Sequence, residues 1–378
     1  MRAADEQVRP SETLGSATTG MTWDPSGNLS SVTPPGKPVH SLNYTPVELM
    51  SAYNPPTNGL PASSTGYTYD VDRALKTVTR PDGQLISHGY DTAGRLSTTT
   101  VPGGLITRTY YGAVPPAGGS PGNLATITGP YGINLAYNYD GQLQTKTTWS
   151  GAIAGSVTWT YDTDFAHKTE TVAGAVGSAS TTFGYDLDKL VTCASPSTCS
   201  PAGADALTLT RNPQNGLVTN LGLRSVSEAL TYNTFGELAS TTATSGSATL
   251  ASFVYDSPTH PRDALGRITR KTEVIAGSEV VYDYTYDSQN RLSDVFIGGT
   301  LNEHYTYDAN GNRLTLTAPS GTTTATYDDQ DRLLTYGSFA YTYTANGELE
   351  TKTNTTTGQA TLYAYDVLGN LLSVRLNP

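Results

Sequence analysis

The stretch YTYDANGNRLTLTAPSG, Tyr305 to Gly321, constrains the fold more than any other part of the chain. Tyr305 and Tyr307 lie two residues apart, so in an extended strand their rings share one face. Asp308 ends that strand, because its carboxylate can accept backbone amides of a following turn. Gly311 then supplies the positive φ that closes a type I turn with a bulge. Leu314, Thr315 and Leu316 alternate as a second strand, and Pro319-Ser320-Gly321 turns the chain back. This stretch therefore encodes one β-hairpin and its outgoing turn.

The rest of the sequence repeats it. A first weak copy surrounds Trp23, Asp24 and Gly27. Clear copies follow at Tyr67, Tyr69 and Asp70, and at Tyr90, Asp91, Gly94 and Arg95. The middle of the chain keeps the pairs Tyr139-Asp140, Tyr161-Asp162, Tyr185-Asp186 and Tyr255-Asp256. The last third is the most regular, with Tyr286-Asp287, then Tyr305, Tyr307, Asp308, Gly311 and Arg313, then Tyr327-Asp328. Tyr341, Tyr343 and Gly347, and finally Tyr365, Asp366 and Gly369, complete the series. In LTRNPQNGL and LTYNTFGEL asparagine takes the turn-forming role of aspartate. FVYDSPTHPRDALGR carries an insertion between Tyr255-Asp256 and Gly266-Arg267.

About fifteen units at a period near 20 to 24 residues are the mark of a stacked-repeat architecture. No segment sustains a helical period, and the many threonines disfavour one. The predicted fold is all-β: repeated β-hairpins forming one continuous, coiled antiparallel sheet, open-ended, over residues 21–378. Residues 1–20 read as a flexible arm or a partial N-terminal strand, and a cysteine-containing loop lies near 191–206. A single hairpin is marginal in water, but hairpins side by side pair their backbones and align their tyrosines, so the array is stable although no unit is. About thirty strands at ~4.8 Å make a ribbon roughly 140 Å long, which twist obliges to coil.

Composition agrees with a sheet that has little thick core. The hydrophobic fraction of 37% includes 25 tyrosines against six phenylalanines, three tryptophans and three methionines, so the side chains available for burial mostly carry hydroxyls. With 33 acidic and 22 basic residues the net charge is −11, which excludes nucleic acid as an expected partner. No window approaches the ~18 apolar residues of a membrane span, and the first twenty residues lack the apolar core of a signal peptide. The expectation is export without such a signal, or an internal piece of a longer chain; the abrupt ends of the repeat favour the piece.

Chemical motifs are sparse. Cys193 and Cys199, in CASPSTC, are close enough for a local disulfide in an oxidising setting, the alternative being two surface thiols. No second Cys/His pair stands at zinc spacing. The literal GxSxG at Gly118 to Gly122 lies in a Pro/Gly loop leading to a strand-like segment, whereas a nucleophile elbow needs a helix after the serine. His40, His88, His167, His260 and His304 are scattered singly. Asp308, Asn310 and Asn312 have the alternate spacing that opens a calcium loop, but the closing Glu is missing and turn capping accounts for them. No cofactor or metal is expected, and no catalytic residue is assigned. The tyrosines read as packed with their hydroxyls hydrogen-bonded, or alternatively as an aromatic surface for sugar rings. Arg95, Arg267, Arg313 and Asn370, just after the turn, are expected to pair with the aspartate of a neighbouring unit.

The recurring YxYDxxGRL, followed by TxPxG, resembles the YD repeats of the Rhs family, which includes bacterial Rhs proteins, shell-forming subunits of insecticidal Tc toxin complexes and, more distantly, the teneurins. The resemblance covers nearly all of residues 21–378. It implies a long β-ribbon spiralling into a hollow shell, which in bacterial members encloses a toxic domain and is sealed by a self-cleaving core region. Neither that region nor a toxin domain has a counterpart in this sequence, so cleavage and toxicity do not carry over. The resemblance implies a structural, non-enzymatic shell segment of a secreted bacterial toxin, whose partner is a cargo or toxin polypeptide of the same or a longer chain. Two other roles are compatible with it: an extracellular module that binds glycans or a cell-surface protein, and a protein that self-assembles through its terminal strands.

Overall fold

The computed structural model describes residues 11–14, 17–57, 64–132, 134–199 and 202–377. Thirty-three strands join one sheet, and the described pairings are antiparallel between strands consecutive in the chain. Among the described residues, helix is limited to one 3-10 turn, Pro130–Gly132. The sheet is open and all-β, with strand already at Ser11–Leu14, which pairs with Ala17–Trp23; residues 1–10 lie outside the described residues.

The chain divides into two compact units. One comprises Met1–Leu105, Tyr286–Asp294 and Asn302–Pro378, and the other comprises Ile106–Thr285 and Val295–Leu301. Both are built from the same hairpin. In the strand Thr300–Tyr307 against Arg313–Ala318, Tyr305 faces Leu316, Thr306 faces Thr315 and Tyr307 faces Arg313, with a bulge between Thr306 and Tyr307. The same bulge precedes Tyr69, Tyr90, Tyr161, Tyr185 and Tyr343. It bends the strand end into the turn, as an extra residue opposite one partner must.

The two faces of the hairpin differ chemically. The residue between the tyrosines points the other way, and its hydroxyl pairs across the strands: Thr160 with Thr169 at 2.6 Å, Thr306 with Thr315 at 2.6 Å, Thr326 with Thr335 at 2.7 Å, all exposed. Tyr305 and Tyr307 on the opposite face are half-buried. The fully buried apolar side chains among the described residues are Val101, Ile106, Cys193, Ala206, Val295 and Ala325. Six such positions cannot make a conventional core, so hydrogen bonding between neighbouring hairpins carries much of the cohesion.

Candidate functional site

The motif residues make a turn lock and an inter-hairpin latch. In the lock, one carboxylate oxygen of the motif aspartate accepts the amides two and four residues on, at 2.8–3.0 Å, in the turns of Asp70, Asp91, Asp162, Asp186, Asp287, Asp308, Asp328 and Asp366. Asn233 makes the same pair of bonds through its amide oxygen. Three residues after the aspartate φ is positive, at Gly94, Gly311 and Gly369, and equally at Arg73, Phe165, Lys189, Asn290 and Asp331. At Gly347 the same conformation follows Thr344, whose hydroxyl accepts the Glu348 amide at 3.2 Å. The lock thus sets the backbone even where the residue is not glycine.

The residue after the turn corrects one expectation. Arg95 binds its own Asp91 at 2.7 Å, Arg267 its own Asp263 at 2.6 Å and Asn370 its own Asp366 at 2.9 Å, rather than an aspartate of a neighbouring unit. The bulged turn returns the chain directly over the carboxylate, so the pairing is local. Arg313 instead reaches Tyr336 Oη at 3.1 Å and lies over the Tyr305 ring. The Arg95 side chain and amide hold the Asp91 carboxyl below its ordinary value.

The latch is the second tyrosine of the motif. Its hydroxyl donates to the carbonyl at the start of the preceding hairpin's return strand: Tyr69 to Met50 (2.8 Å), Tyr90 to Leu75 (2.8 Å), Tyr161 to Gln144 (2.7 Å), Tyr185 to His167 (2.7 Å), Tyr307 to Leu292 (2.7 Å), Tyr327 to Arg313 (3.0 Å) and Tyr343 to Leu333 (2.9 Å). Burial raises the phenol pKa of Tyr69, Tyr161, Tyr185, Tyr307, Tyr327 and Tyr343, so these groups stay protonated donors. Tyr305 is pushed up to about 12 by burial and by the hydrogen bond it donates to Glu303. Tyrosine on this face is therefore bonded to the next hairpin, which the YD spacing alone does not reveal.

Two motif positions depart from the pattern. Asp140 ends the strand Asn134–Asp140 opposite Leu143, and a turn of two residues leaves no amide four positions on for its carboxylate to hold within the turn. Tyr139 is set by the loop before it, donating its amide to Gly118 O at 2.7 Å and meeting the Tyr111 ring edge-on. Asp256 does not lock its turn either. The insertion moves that work to Asp263, which accepts the amides of Leu265 and Arg267, while Asp256 accepts Asn233 Nδ2 at 2.7 Å. The latch moves as well: Arg262 Nη2, not the Tyr255 hydroxyl, donates to Leu238 O at 2.9 Å. Arg211 does the same to Val191 O at 3.1 Å.

Within the first unit, residues far apart in sequence meet at a seam. Lys37 Nζ donates to Asp328 O at 2.6 Å and pairs with Asp331 at 3.2 Å, and Gln330 Nε2 donates to Pro56 O at 2.8 Å. Arg80 pairs with Glu348 at 2.6 Å with 11% and 16% of the two side chains exposed, and Asn346 Nδ2 donates to Asp82 Oδ2 at 2.8 Å. Each contact runs through a side chain. Burial opposes the charge of Asp331, but hydrogen bonds from Asn310, Asn312 and Lys37 outweigh it and hold the carboxyl low. Burial likewise opposes Asp82, yet Asn346, the Gln84 amide and Arg80 keep its carboxyl low.

The remaining motifs take structural places. Cys193 and Cys199 form a disulfide with Cα atoms 5.7 Å apart, and the Gly184 backbone packs against it. Ser120 is 4% exposed and is followed by the strand Leu124–Thr128, not by a helix. His40 bonds Tyr53 Oη, His260 meets Arg270 and His304 meets Asp294, each at a separate place. Among the described residues no group of three His, Cys, Asp or Glu is placed to hold a metal ion. No helix is long and apolar enough to cross a membrane. In the second unit a cleft of about 810 Å³ opens between the turns of Asn233 and Asp263, lined by Tyr232, Phe235, Pro258, Pro261, Arg262 and Leu265 among others.

Comparison with known proteins agrees with this architecture. A family model described as Teneurin YD-shell matches residues 10–378. No curated protein sequence matches the chain. Similar solved structures include the crystal structure of TcdB2-TccC3-TEV, 14% identical, with 96% of this chain and 22% of that chain covered at a TM-score of 0.45. The Photorhabdus luminescens Tc holotoxin pore is 14% identical, with 95% and 26% covered at 0.46. The crystal structure of TcdB2-TccC3 is 13% identical, with 97% and 27% covered at 0.47. The chain thus spans about a quarter of the length of the proteins it is similar to.

Proposed function

The chain belongs to the teneurin YD-shell family, and on that premise we propose that it is a structural segment of a secreted shell that encloses and shields a polypeptide cargo. Its work is mechanical rather than catalytic. The observation that carries this reading is the latch between neighbouring hairpins. A one-layer wall must stay continuous without a thick core, and the tyrosine-to-carbonyl bond ties each hairpin to the one before it, beside the backbone ladder. Each such bond contributes about 1 kcal/mol, and the sum over many repeats is what an extended array needs.

The second supporting observation is the threonine face. Paired hydroxyls present little apolar surface, so an unfolded polypeptide against that face has little to adhere to. The ladder also keeps backbone amides and carbonyls engaged, which denies a cargo chain a free edge along the wall.

A disordered reporter polypeptide carrying a protease site, joined to the end of the full chain, tests the proposal. Enclosure predicts cleavage slowed about tenfold or more relative to the free reporter. Equal cleavage rates, with the repeat region itself intact, would contradict it.

A further inference from the structure

The insertion Asp256 to Arg262 builds a feature that the regular repeat lacks. It separates Tyr255 from its turn, and a small loop closed by Ser257 and His260 leaves the cleft beside the Asn233 turn. Phe235 on its wall is 87% exposed and Leu265 is 64% exposed. At about 810 Å³ the cleft has the size of a ligand pocket.

The polar groups narrow the occupant. Arg262 spends Nη1 on Gly266 O at 3.0 Å and Nη2 on Leu238 O at 2.9 Å. Its Nε is buried without a hydrogen-bond partner, with the nearest Glu237 oxygen at 3.6 Å. A buried N–H of this kind calls for an acceptor. The lining sets one guanidinium, Arg262, against three carboxylates, Glu237, Asp256 and Asp263, so an anionic acceptor is repelled. What remains is an uncharged acceptor attached to an apolar group, with a basic group tolerated nearby. An extended polypeptide offers all three in its carbonyls and side chains.

We propose that this cleft binds an extended segment of a separate partner polypeptide, which packs a large apolar side chain against Phe235 and Leu265 and offers a backbone carbonyl to Arg262 Nε. The site lies outside the latch and lock that hold the wall, so it stands or falls independently of the enclosure reading.

The test is a calorimetric titration of the full chain with three acetylated, amidated tripeptides: Leu-Phe-Lys, Leu-Phe-Glu and Ser-Gly-Lys. The expected result is saturable binding of Leu-Phe-Lys, with Leu-Phe-Glu weaker by about threefold and Ser-Gly-Lys weaker by about tenfold or more. Phe235→Ser and Leu265→Ser each weaken Leu-Phe-Lys about tenfold while the thermal midpoint of the chain stays unchanged. No saturable binding of Leu-Phe-Lys would overturn the proposal. So would equal binding of the Glu peptide, or binding indifferent to both serine variants.

Discussion

Two kinds of junction hold the first unit together, and they differ in what they are made of. Neighbouring hairpins share a backbone ladder and a tyrosine latch, as where Tyr90 reaches Leu75 O across the pairing of Leu75–Thr79 with Leu85–Tyr90. At the seam, Lys37, Arg80 and Asp82 meet Asp331, Glu348 and Asn346 through side chains alone, across 264 residues or more. A ladder gains cooperativity because each bond aligns the next, whereas side-chain pairs act singly and depend on charge. The comparison teaches that a continuous wall and its seam can have separate stabilities within one sheet.

The largest expected effect comes from breaking a turn on the ladder side. Asp308→Ala removes the acceptor of the Asn310 and Asn312 amides and of the Asn312 side chain. It should raise local hydrogen exchange at Arg313 to Leu316 by the equivalent of about 2–3 kcal/mol, and Asp308→Asn should cost about 1 kcal/mol or less. Next comes the seam. Arg80→Ala leaves Glu348 partly buried and unpaired, costing about 1–2 kcal/mol there, while exchange at Leu96 to Val101 stays unchanged. If both regions loosen together, the two junctions are not separable.

Acid should act on the seam with a defined sign. Asp331 and Asp82 are depressed in the folded state, so their contribution is complete above the ordinary carboxylate value of 3.8. It is lost as the pH falls from there through the depressed values, which would appear as faster proteolysis of the segments around Lys37 and Arg80. Seam proteolysis that rises instead between neutral pH and about 5 would place its control in other groups. Tyr307→Phe keeps the ring and removes the latch to Leu292, and should cost about 1 kcal/mol in the thermal unfolding of the ladder. The smallest effect is a gain: Arg73 holds φ at 66°, and Arg73→Gly should stabilise its turn by about 0.5 kcal/mol.

How far the sequence revealed this molecule follows from the range of each interaction. The Asp308 turn was legible because the amides it holds lie two and four residues away, and the disulfide because six residues separate its cysteines. The strands followed from the alternation of Tyr305, Thr306 and Tyr307, since a period of two fixes faces without knowledge of neighbours. The latch was half legible: the tyrosine is obvious, but a backbone carbonyl has no letter in the sequence. At the insertion, two aspartates compete for one turn, and only the distance to Arg267 favours Asp263 over Asp256. The seam left no periodic trace at all, because Arg80 and Glu348 occupy positions that are polar in every repeat.

Spin labels at Leu85→Cys and Ala345→Cys across the seam, and at Val71→Cys and Ala93→Cys on adjacent hairpin tips, put the two junctions in one experiment. Distance distributions are followed as urea is raised. The seam pair should broaden at a lower urea concentration than the neighbouring pair, which holds until the sheet itself unfolds. Simultaneous broadening, or loss of the neighbouring pair first, would contradict the view that ladder and latch make the wall and side chains alone close its seam.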